Sequence, residues 1–291
     1  MNTYLRVVLL ICFCLMALCV GLSQQPQAMT VEKVTGNIYI VKGGSGANTG
    51  FFVGEKEVLA IDAKMTADAA RQWIEEIKKL TPHPITKLVI THSDGDHVNG
   101  LGGFPQGLEI ISHAQTKKDM AEAFKEPNFQ ALQPYLPNRT FTDKMDLRLG
   151  AERIQLLHFG PAHTSGDIVV FFPAEKVAFV GDLVFIGRDP LIHHQKGGTS
   201  LGLVKTLTAL LELGADRYVA GHTEILSKGD IETLMKSIED KQAKIKTLIQ
   251  GGKSLDDIKK ALGVEDRAAA PGGRRFMSLV EVIYLDLTEK K

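Results

Sequence analysis

Four side chains of the kinds that bind metal ions lie within six consecutive positions: His92, Asp94, Asp96 and His97. They follow a short apolar run, Leu88 to Ile90, which predicts a buried strand. Alternate residues of an extended chain face the same way, so the first pair can point together, and Gly95 allows the sharp turn that the second pair needs. Imidazoles and carboxylates at the end of a buried strand are costly to desolvate unless a cation compensates them. The cluster therefore predicts a metal site, and the alternative interpretation is a polar surface turn that happens to hold two histidines.

Three more candidate ligands lie further along the chain, each after a predicted strand and near a glycine: His163, Asp182 and His222. Taken singly, each has an ordinary explanation. A histidine after a strand is commonly a hydrogen-bonded loop residue, and Asp182 could cap a helix or a turn. As a group they are candidates for a metal site.

The stretch from His92 to His97 resembles the HxHxDH signature of the metallo-β-lactamase superfamily, except that Asp94 stands where the second histidine is normally found. The later candidates follow in the order in which that superfamily places its ligands: a histidine, a Gly-Asp step and a Gly-His step. The resemblance covers most of residues 37–224, and it implies two metal ions. By that resemblance the first ion is held by His92, Asp94 and His163, the second by Asp96, His97 and His222, and Asp182 bridges them.

The resemblance implies a specific chemistry for these ligands. Two divalent cations lower the pKa of a shared water, hold a hydroxide ready near neutral pH and polarise the bond under attack. Asp96 is then the catalytic residue, because it can orient the hydroxide or pass its proton to the leaving group. The resemblance favours zinc, and Asp94 makes iron or manganese the alternatives, because a carboxylate is a harder donor than an imidazole. In this fold the loop after Asp182 borders the active-site groove, so His193 and His194 are predicted to contact the substrate.

The function that the resemblance implies is an exported metal-dependent hydrolase. It uses a metal-bound hydroxide to cleave an amide, lactone, ester or thioester bond of a small molecule, in the manner of a β-lactamase or a lactonase, and it needs no serine nucleophile. One alternative, supported by Asp94, is an iron-dependent redox enzyme of the same fold, of the oxygenase or persulfide dioxygenase type. The other is a non-catalytic metal-binding protein, which would require a more degenerate ligand set than this one.

The elements that must position these residues alternate between strand and helix. Apolar runs and turn residues predict strands at 37–42, 48–53, 57–61, 87–91, 108–112, 140–142, 146–149, 153–158, 168–172, 176–180 and 217–220. Helical spacing predicts helices at 66–80, 114–124, 200–213, 229–249, after a cap at Ser254, and from 276 onward. This order predicts an α/β protein with two similar halves. The resemblance implies a four-layer αβ/βα sandwich, with two mixed sheets and the helices outside.

The composition and the N-terminus indicate where the protein acts. The chain of 291 residues has 44% hydrophobic and 23% charged residues, which is ordinary for a soluble globular protein. Its zero net charge argues against a broad surface for nucleic acid or a membrane. Arg6 and the apolar run from Val7 to Leu22 predict a signal peptide over residues 1–23, because the run is short for a membrane span. We expect a periplasmic or secreted protein with no stable membrane insertion after cleavage. The alternative is anchoring by an uncleaved N-terminal segment.

Residues 24–291 are predicted to form a single metallo-β-lactamase-fold domain, with the helices from about 229 as an extension. Residues 24–35 are expected to be a loose leader before the first strand. All three cysteines lie inside the predicted signal peptide, so the mature chain has neither a thiolate ligand nor a disulfide. The expected partner is a small-molecule substrate, and the sequence does not indicate an oligomeric state.

Overall fold

The protein is represented by a computed structural model in which residues 28–265 and 275–289 are described. Its strands form two mixed sheets that pack face to face, with helices on both outer surfaces. This is the predicted four-layer αβ/βα sandwich. The predicted signal peptide, residues 1–23, lies outside the described residues.

The first sheet has seven strands, which neighbour one another in chain order. They are β1 (Thr30–Thr35), β2 (Ile38–Lys42), β3 (Thr49–Val53), β4 (Val58–Ile61), β5 (Ile85–Val89), β6 (Glu109–His113) and β7 (Arg139–Phe141). Neighbouring strands from β1 to β4 are antiparallel, whereas neighbouring strands from β4 to β7 are parallel. Parallel neighbours need crossover connections, and helices on the outer face provide two of them.

The second sheet has five strands in the order β12-β11-β10-β9-β8. They are β8 (Lys144–Leu149), β9 (Glu152–Leu157), β10 (Val169–Phe172), β11 (Val177–Gly181) and β12 (Arg217–Ala220). Of these neighbouring pairs only β11–β12 is parallel, and the connection between those two strands contains the helix Ser200–Glu212. The carboxyl ends of β11 and β12 therefore lie side by side, and each continues into one of the predicted ligands.

Seven α-helices are present in the described part of the chain. They are α1 (Ala67–Leu80), α2 (Gly95–Val98), α3 (Ala114–Ala123), α4 (Ser200–Glu212), α5 (Lys228–Gln250), α6 (Leu255–Leu262) and α7 (Leu279–Thr288). Short 3-10 turns cover Asn99–Gly103, Gln130–Tyr135 and His194–Lys196. Of the described helices, none is both long and apolar enough to cross a membrane.

Alternating side chains of the strands build three apolar layers. Phe52 of β3 and Val170 of β10 belong to the layer between the two sheets. The neighbouring Phe51 faces outward and packs with Trp73 of α1, whereas Phe171 packs under α4 and α5. Because successive strand residues face opposite sides, each sheet buries apolar side chains on both faces.

The structure corrects one predicted element. Residues 24–35 were expected to be a loose leader, but Thr30–Thr35 is strand β1 and pairs antiparallel with β2. The reason is that β1 is an edge strand with mostly exposed side chains, so its composition is polar although its backbone is paired. Residues 24–27 lie outside the described part.

Candidate metal centre

The candidate ligands collect at one edge of the sandwich, where strands from both sheets end. His92, Asp94, Asp96 and His97 follow β5, His163 lies between β9 and β10, Asp182 follows β11, and His222 follows β12. Asn48, next to β3, donates hydrogen bonds to the carbonyls of Ala220 and Thr223, at 3.1 and 2.8 Å. The first sheet thereby fixes the turn of the second sheet that carries His222.

The structure brings all seven predicted ligands together in two clusters that share Asp182. Within each cluster, one ligand atom from every member lies within 4.8 Å of the others. The clusters are His92, Asp94, His163 and Asp182, and Asp96, His97, Asp182 and His222. This is the grouping that the predicted assignment to two ions requires.

Each of the three buried histidines uses its Nδ1 atom for a hydrogen bond to an acceptor outside the cluster. The distances are 2.8 Å from His97 to Asp62 Oδ2, 2.7 Å from His163 to the carbonyl of Leu191, and 3.0 Å from His92 to Thr91 Oγ1. The Thr91 hydroxyl donates to the Asp62 carboxylate, so it accepts from His92. With Nδ1 as the donor, Nε2 of each ring is the atom directed into the centre, and its lone pair can bind a metal once the imidazole is neutral.

The buried polar atoms at the centre fit a bound cation. Within the described chain, His92 Nε2, His97 Nε2 and Asp182 Oδ1 are buried and have no hydrogen-bond partner of adequate geometry. His97 Nε2 lies 3.1 Å from Asp182 Oδ1, but the two atoms are not aligned for a hydrogen bond. Buried polar atoms without partners are costly, and a divalent ion ligated by imidazole nitrogens and carboxylate oxygens satisfies them.

The carboxylates and imidazoles strongly perturb each other's pKa values. The side-chain hydrogen bond to Asp182, supported by Asp96, raises the pKa of His222 to about 9. Burial alone would lower the pKa of His163, but the Asp94 carboxylate outweighs burial and raises it to about 9. Burial would raise the pKa of Asp94, yet hydrogen bonds from His163 and His193 hold it well below its usual range. A cation entering the centre must therefore displace protons from these imidazoles.

Two glycines are required by the tight packing around Asp182. A Cβ atom on Gly221 would lie 2.2 Å from Asp182 Oδ1 and 2.9 Å from His97 Cε1. Gly181 has a φ of 51°, and a Cβ atom there would lie 2.7 Å from Thr91 Oγ1. The glycines that precede Asp182 and His222 in the sequence are thus what lets the ligand loops approach each other.

The substrate-contact residues predicted from the sequence occupy different places. His193 lines the opening of the centre, and its Nε2 lies 2.7 Å from Asp94 Oδ2. His194 does not line the opening, and its Nε2 lies 3.8 Å from Glu289 Oε2 instead.

Two residues beside the ligands were missed by the sequence analysis. Asp62 supports His97, and Lys196 places its Nζ 2.6 Å from Asp94 Oδ1. Neither belongs to a ligand motif. The sequence feature that could have predicted a residue such as Lys196 is the extra negative charge of Asp94, because a partly buried carboxylate needs a compensating cation from a neighbouring loop.

The opening above the ligands is a pocket of about 480 Å³ with apolar and cationic walls. Phe185 stacks on the ring of His222 at 5.8 Å, and the Arg188 guanidinium lies 4.4 Å from the centre of the Phe185 ring. Phe276 and Met65, both exposed, complete the rim. A larger depression of about 1000 Å³ runs along α5, but it contains none of the candidate ligands.

Residues 198–202 match the Gly-x-Ser-x-Gly pattern that serine hydrolases use, with Ser200 at its centre. Ser200 is buried at the first position of α4, where its hydroxyl lies 2.6 Å from Asp286 Oδ2 and 3.2 Å from Gln242 Nε2. None of its hydrogen bonds in the described chain involves a histidine, so this serine has the environment of a structural residue and lacks a general base.

Comparison with known proteins agrees with this architecture. Residues 43–222 match the family model of the metallo-beta-lactamase superfamily. The 2,4-dinitroanisole O-demethylase subunit alpha of Nocardioides sp. (strain JS1661) is 25% identical over 266 residues, which cover 89% of this chain and 78% of that protein. The hydroxyacylglutathione hydrolase GloC of Haemophilus influenzae is 31% identical over 179 residues, which cover 58% of this chain and 81% of that protein.

Solved structures share the fold at low sequence identity. The metallo-beta-lactamase from Pontibacter korlensis superposes with a TM-score of 0.62 at 18% identity, over 72% of this chain and 99% of that chain. This similarity shows the fold, and it spans 72% of this chain.

Proposed function

The chain belongs to the metallo-β-lactamase superfamily, whose members are metallo-hydrolases, and we propose that it hydrolyses an amide, lactone, ester or thioester bond of a small molecule. The observation that carries the proposal is the pair of ligand clusters around buried Asp182, with unpartnered Nε2 atoms directed into them. Divalent ions, when bound there, supply Lewis acidity and lower the pKa of a water molecule. We propose zinc, because four imidazoles and three carboxylates suit it, with iron or manganese as the alternatives that Asp94 allows.

Asp96 is proposed as the catalytic residue because it combines ligand geometry with access to the pocket. Its Oδ2 lies 3.1 Å from His222 Nε2, and its side chain is 22% exposed, against 4% for Asp182. A carboxylate in this position can take a proton from the attacking water and return it to the leaving group. Asp182, which is buried between the two clusters, can hold the ligand set together but has little contact with solvent.

The pocket walls favour a substrate with an apolar body and an anionic group. The exposed side chains of Phe276 and Met65 offer apolar surface to the substrate body, and Arg188, which lies over the buried ring of Phe185, presents a cation to the same pocket. Within the described residues, Arg188 has no carboxylate partner, so it is available for a substrate anion. Arg188→Met is expected to raise KM for an anionic substrate and to leave KM for its neutral ester unchanged.

A hydrolysis screen with measured metal content tests the proposal. Metal-free protein, reconstituted with zinc, manganese or iron, is assayed on lactones, β-lactams, esters, thioesters and, because of the demethylase relative, nitro-substituted anisoles. We expect turnover of at least one carbonyl substrate that is lost on chelation and restored by one of the metals. Full activity of protein shown to be free of metal would contradict the proposal.

The redox alternative is favoured by one observation, the carboxylate of Asp94 at the first cluster. If the protein, purified without added metal, holds iron and consumes oxygen with a thiol or persulfide substrate, then this alternative replaces hydrolysis. Zinc content with hydrolysis and no oxygen uptake excludes it.

We also propose that the chain is exported, on the basis of Arg6 and the apolar run from Val7 to Leu22. Mass spectrometry of secreted or periplasmic protein is expected to show an N-terminus near Gln24. Soluble cytoplasmic protein that retains Met1 would contradict export, and a membrane-bound form with Met1 would support the uncleaved anchor.

A further inference from the structure

The Asp94 carboxylate is held on both oxygens by a loop that no ligand motif includes. Lys196 Nζ lies 2.6 Å from Oδ1, and His193 Nε2 lies 2.7 Å from Oδ2. The side chain of Asp94 is 13% exposed and that of Lys196 is 33% exposed, so water only partly screens the pair. Charge-assisted hydrogen bonds in such surroundings are stronger than those of exposed ion pairs.

The position of Lys196 follows from the way its loop is anchored to the connection that carries His163. The backbone N–H of His193 donates to the carbonyl of His163 at 2.8 Å, and the N–H of Ser165 donates to the carbonyl of Lys196 at 2.9 Å. The ammonium of Lys196 also donates to the carbonyl and the hydroxyl of Ser93, at 3.3 and 3.2 Å. Backbone hydrogen bonds therefore hold Lys196 next to Ser93 and Asp94.

The two carboxylate oxygens of Asp94 have different contacts. Oδ1 of Asp94 is engaged by Lys196, whereas Oδ2 lies 3.1 Å from His163 Nε2 and 3.8 Å from His92 Nε2. Only Oδ2 is therefore among the imidazoles of the first cluster. Asp94 therefore offers one ligand atom to the first cluster, as the single Nε2 atom of a histidine would.

The charges of the two residues also cancel. A carboxylate at position 94 adds one negative charge relative to the neutral imidazole that the superfamily signature carries, and Lys196 adds one positive charge next to it. The ligand set with lysine thus keeps the net charge of a site built with histidine at that position.

We propose that Lys196 is a positioning residue that compensates the charge of Asp94 and restricts it to one ligand oxygen, so that aspartate can replace histidine in the first metal site. The inference rests on the proposed metal centre and not on any substrate. Its consequence is that residues 94 and 196 function as a pair, and that the effect of changing one depends on the identity of the other.

A double-mutant cycle on zinc affinity tests the pair. Competition with a chromophoric chelator gives the first-site affinity of the parent, Lys196→Met, Asp94→His and the double variant. With Asp94 present, Lys196→Met is expected to weaken binding by about 10- to 100-fold, as loss of an outer hydrogen-bond partner does. In the Asp94→His background, the same change is expected to strengthen binding by about tenfold or more, because an ammonium next to a dication is repulsive.

Controls separate the role of Lys196 from a general effect of removing a lysine. Lys205→Met removes an exposed lysine from α4 and is expected to change no affinity. Lys196→Arg keeps the charge and is expected to retain most of the parental affinity. Circular dichroism of the metal-free variants monitors the fold.

Every other outcome of the cycle overturns the proposal. If Lys196→Met weakens zinc binding both with Asp94 and with Asp94→His, the lysine has only a structural role. If it strengthens zinc binding in both backgrounds, the lysine repels the ion without positioning Asp94. If zinc affinity changes in neither background, Lys196 has no role in the metal site. A parent that binds no divalent ion would instead refute the proposed metal centre itself, before any variant is compared.

Discussion

His97 donates from Nδ1 to the Asp62 carboxylate across 2.8 Å, and this contact joins the end of β4 to the metal loop after β5. The same carboxylate accepts hydrogen bonds from the Thr91 backbone N–H and hydroxyl. Asp62 is 3% exposed and adopts a φ of 63°, a backbone conformation that non-glycine residues seldom take. A buried residue with an unusual backbone conformation, outside the candidate ligand set, thus orients one of the candidate ligands.

Asp62→Asn is expected to weaken metal binding at the second cluster. The asparagine amide can donate to His97 Nδ1, which would move the proton to Nε2 and remove the ligating lone pair. Loss of such an outer partner costs about 10- to 100-fold in metal affinity. Competition titration with zinc measures the change, and an unchanged affinity in a folded variant would show that Asp62 does not select the tautomer.

Gly221→Ala is expected to disrupt the centre while leaving the rest of the sandwich folded. The added methyl group would lie 2.2 Å from Asp182 Oδ1, so the shared carboxylate or the turn must shift. Bound metal per chain is expected to fall by at least half. Gly229→Ala is the matched control, because its Cβ atom has only the Ser227 hydroxyl nearby, at 3.7 Å, and it should bind metal like the parent.

Divalent metal affinity is expected to rise with pH up to about 9. The raised pKa values of His163 and His222, each about 9, mean that both imidazoles hold protons in the metal-free protein at neutral pH. Metal binding must release these protons, so affinity increases until pH exceeds the raised pKa values. Zinc titrations from about pH 6 to about pH 9.5 check this, and a plateau near the ordinary histidine pKa of about 6.5 would contradict it.

The same shifts make the stability of the metal-free protein fall over that window. A histidine whose pKa is raised in the folded state stabilises the protein at low pH, and this contribution is lost as pH rises through the folded pKa. Thermal unfolding of metal-free protein is therefore expected to occur at lower temperature at pH 9 than at pH 6.5, whereas zinc-loaded protein should show the opposite order.

His193→Gln and His194→Gln are expected to differ although the residues are adjacent. His193 contacts Asp94 at 2.7 Å and lines the pocket, so its loss should weaken zinc binding at the first cluster by several-fold or more. His194 faces Glu289, so His194→Gln should leave the zinc affinity unchanged in the same titration. Equal effects of both changes would indicate a general disturbance of the loop.

The candidate ligands could be predicted because each one follows a predicted strand near a glycine and because their order resembles that of the superfamily. Lys196 was not, because it is one of 34 lysines and arginines and reaches Asp94 only after its loop folds back on the His163 connection. Strand β1 was missed because an edge strand need not alternate strongly. Asp62 was missed because its role depends on contact between two separate strand ends, which periodicity does not reveal.

The most direct test of the metal centre is the zinc stoichiometry of the parent and of Asp94→Ala. Calorimetric titration of metal-free protein is predicted to show two ions per chain for the parent. It is predicted to show one ion for Asp94→Ala, because the second cluster keeps Asp96, His97, Asp182 and His222. If Asp94→Ala binds as many ions as the parent with unchanged affinities, Asp94 is not a ligand and the two-ion account is contradicted.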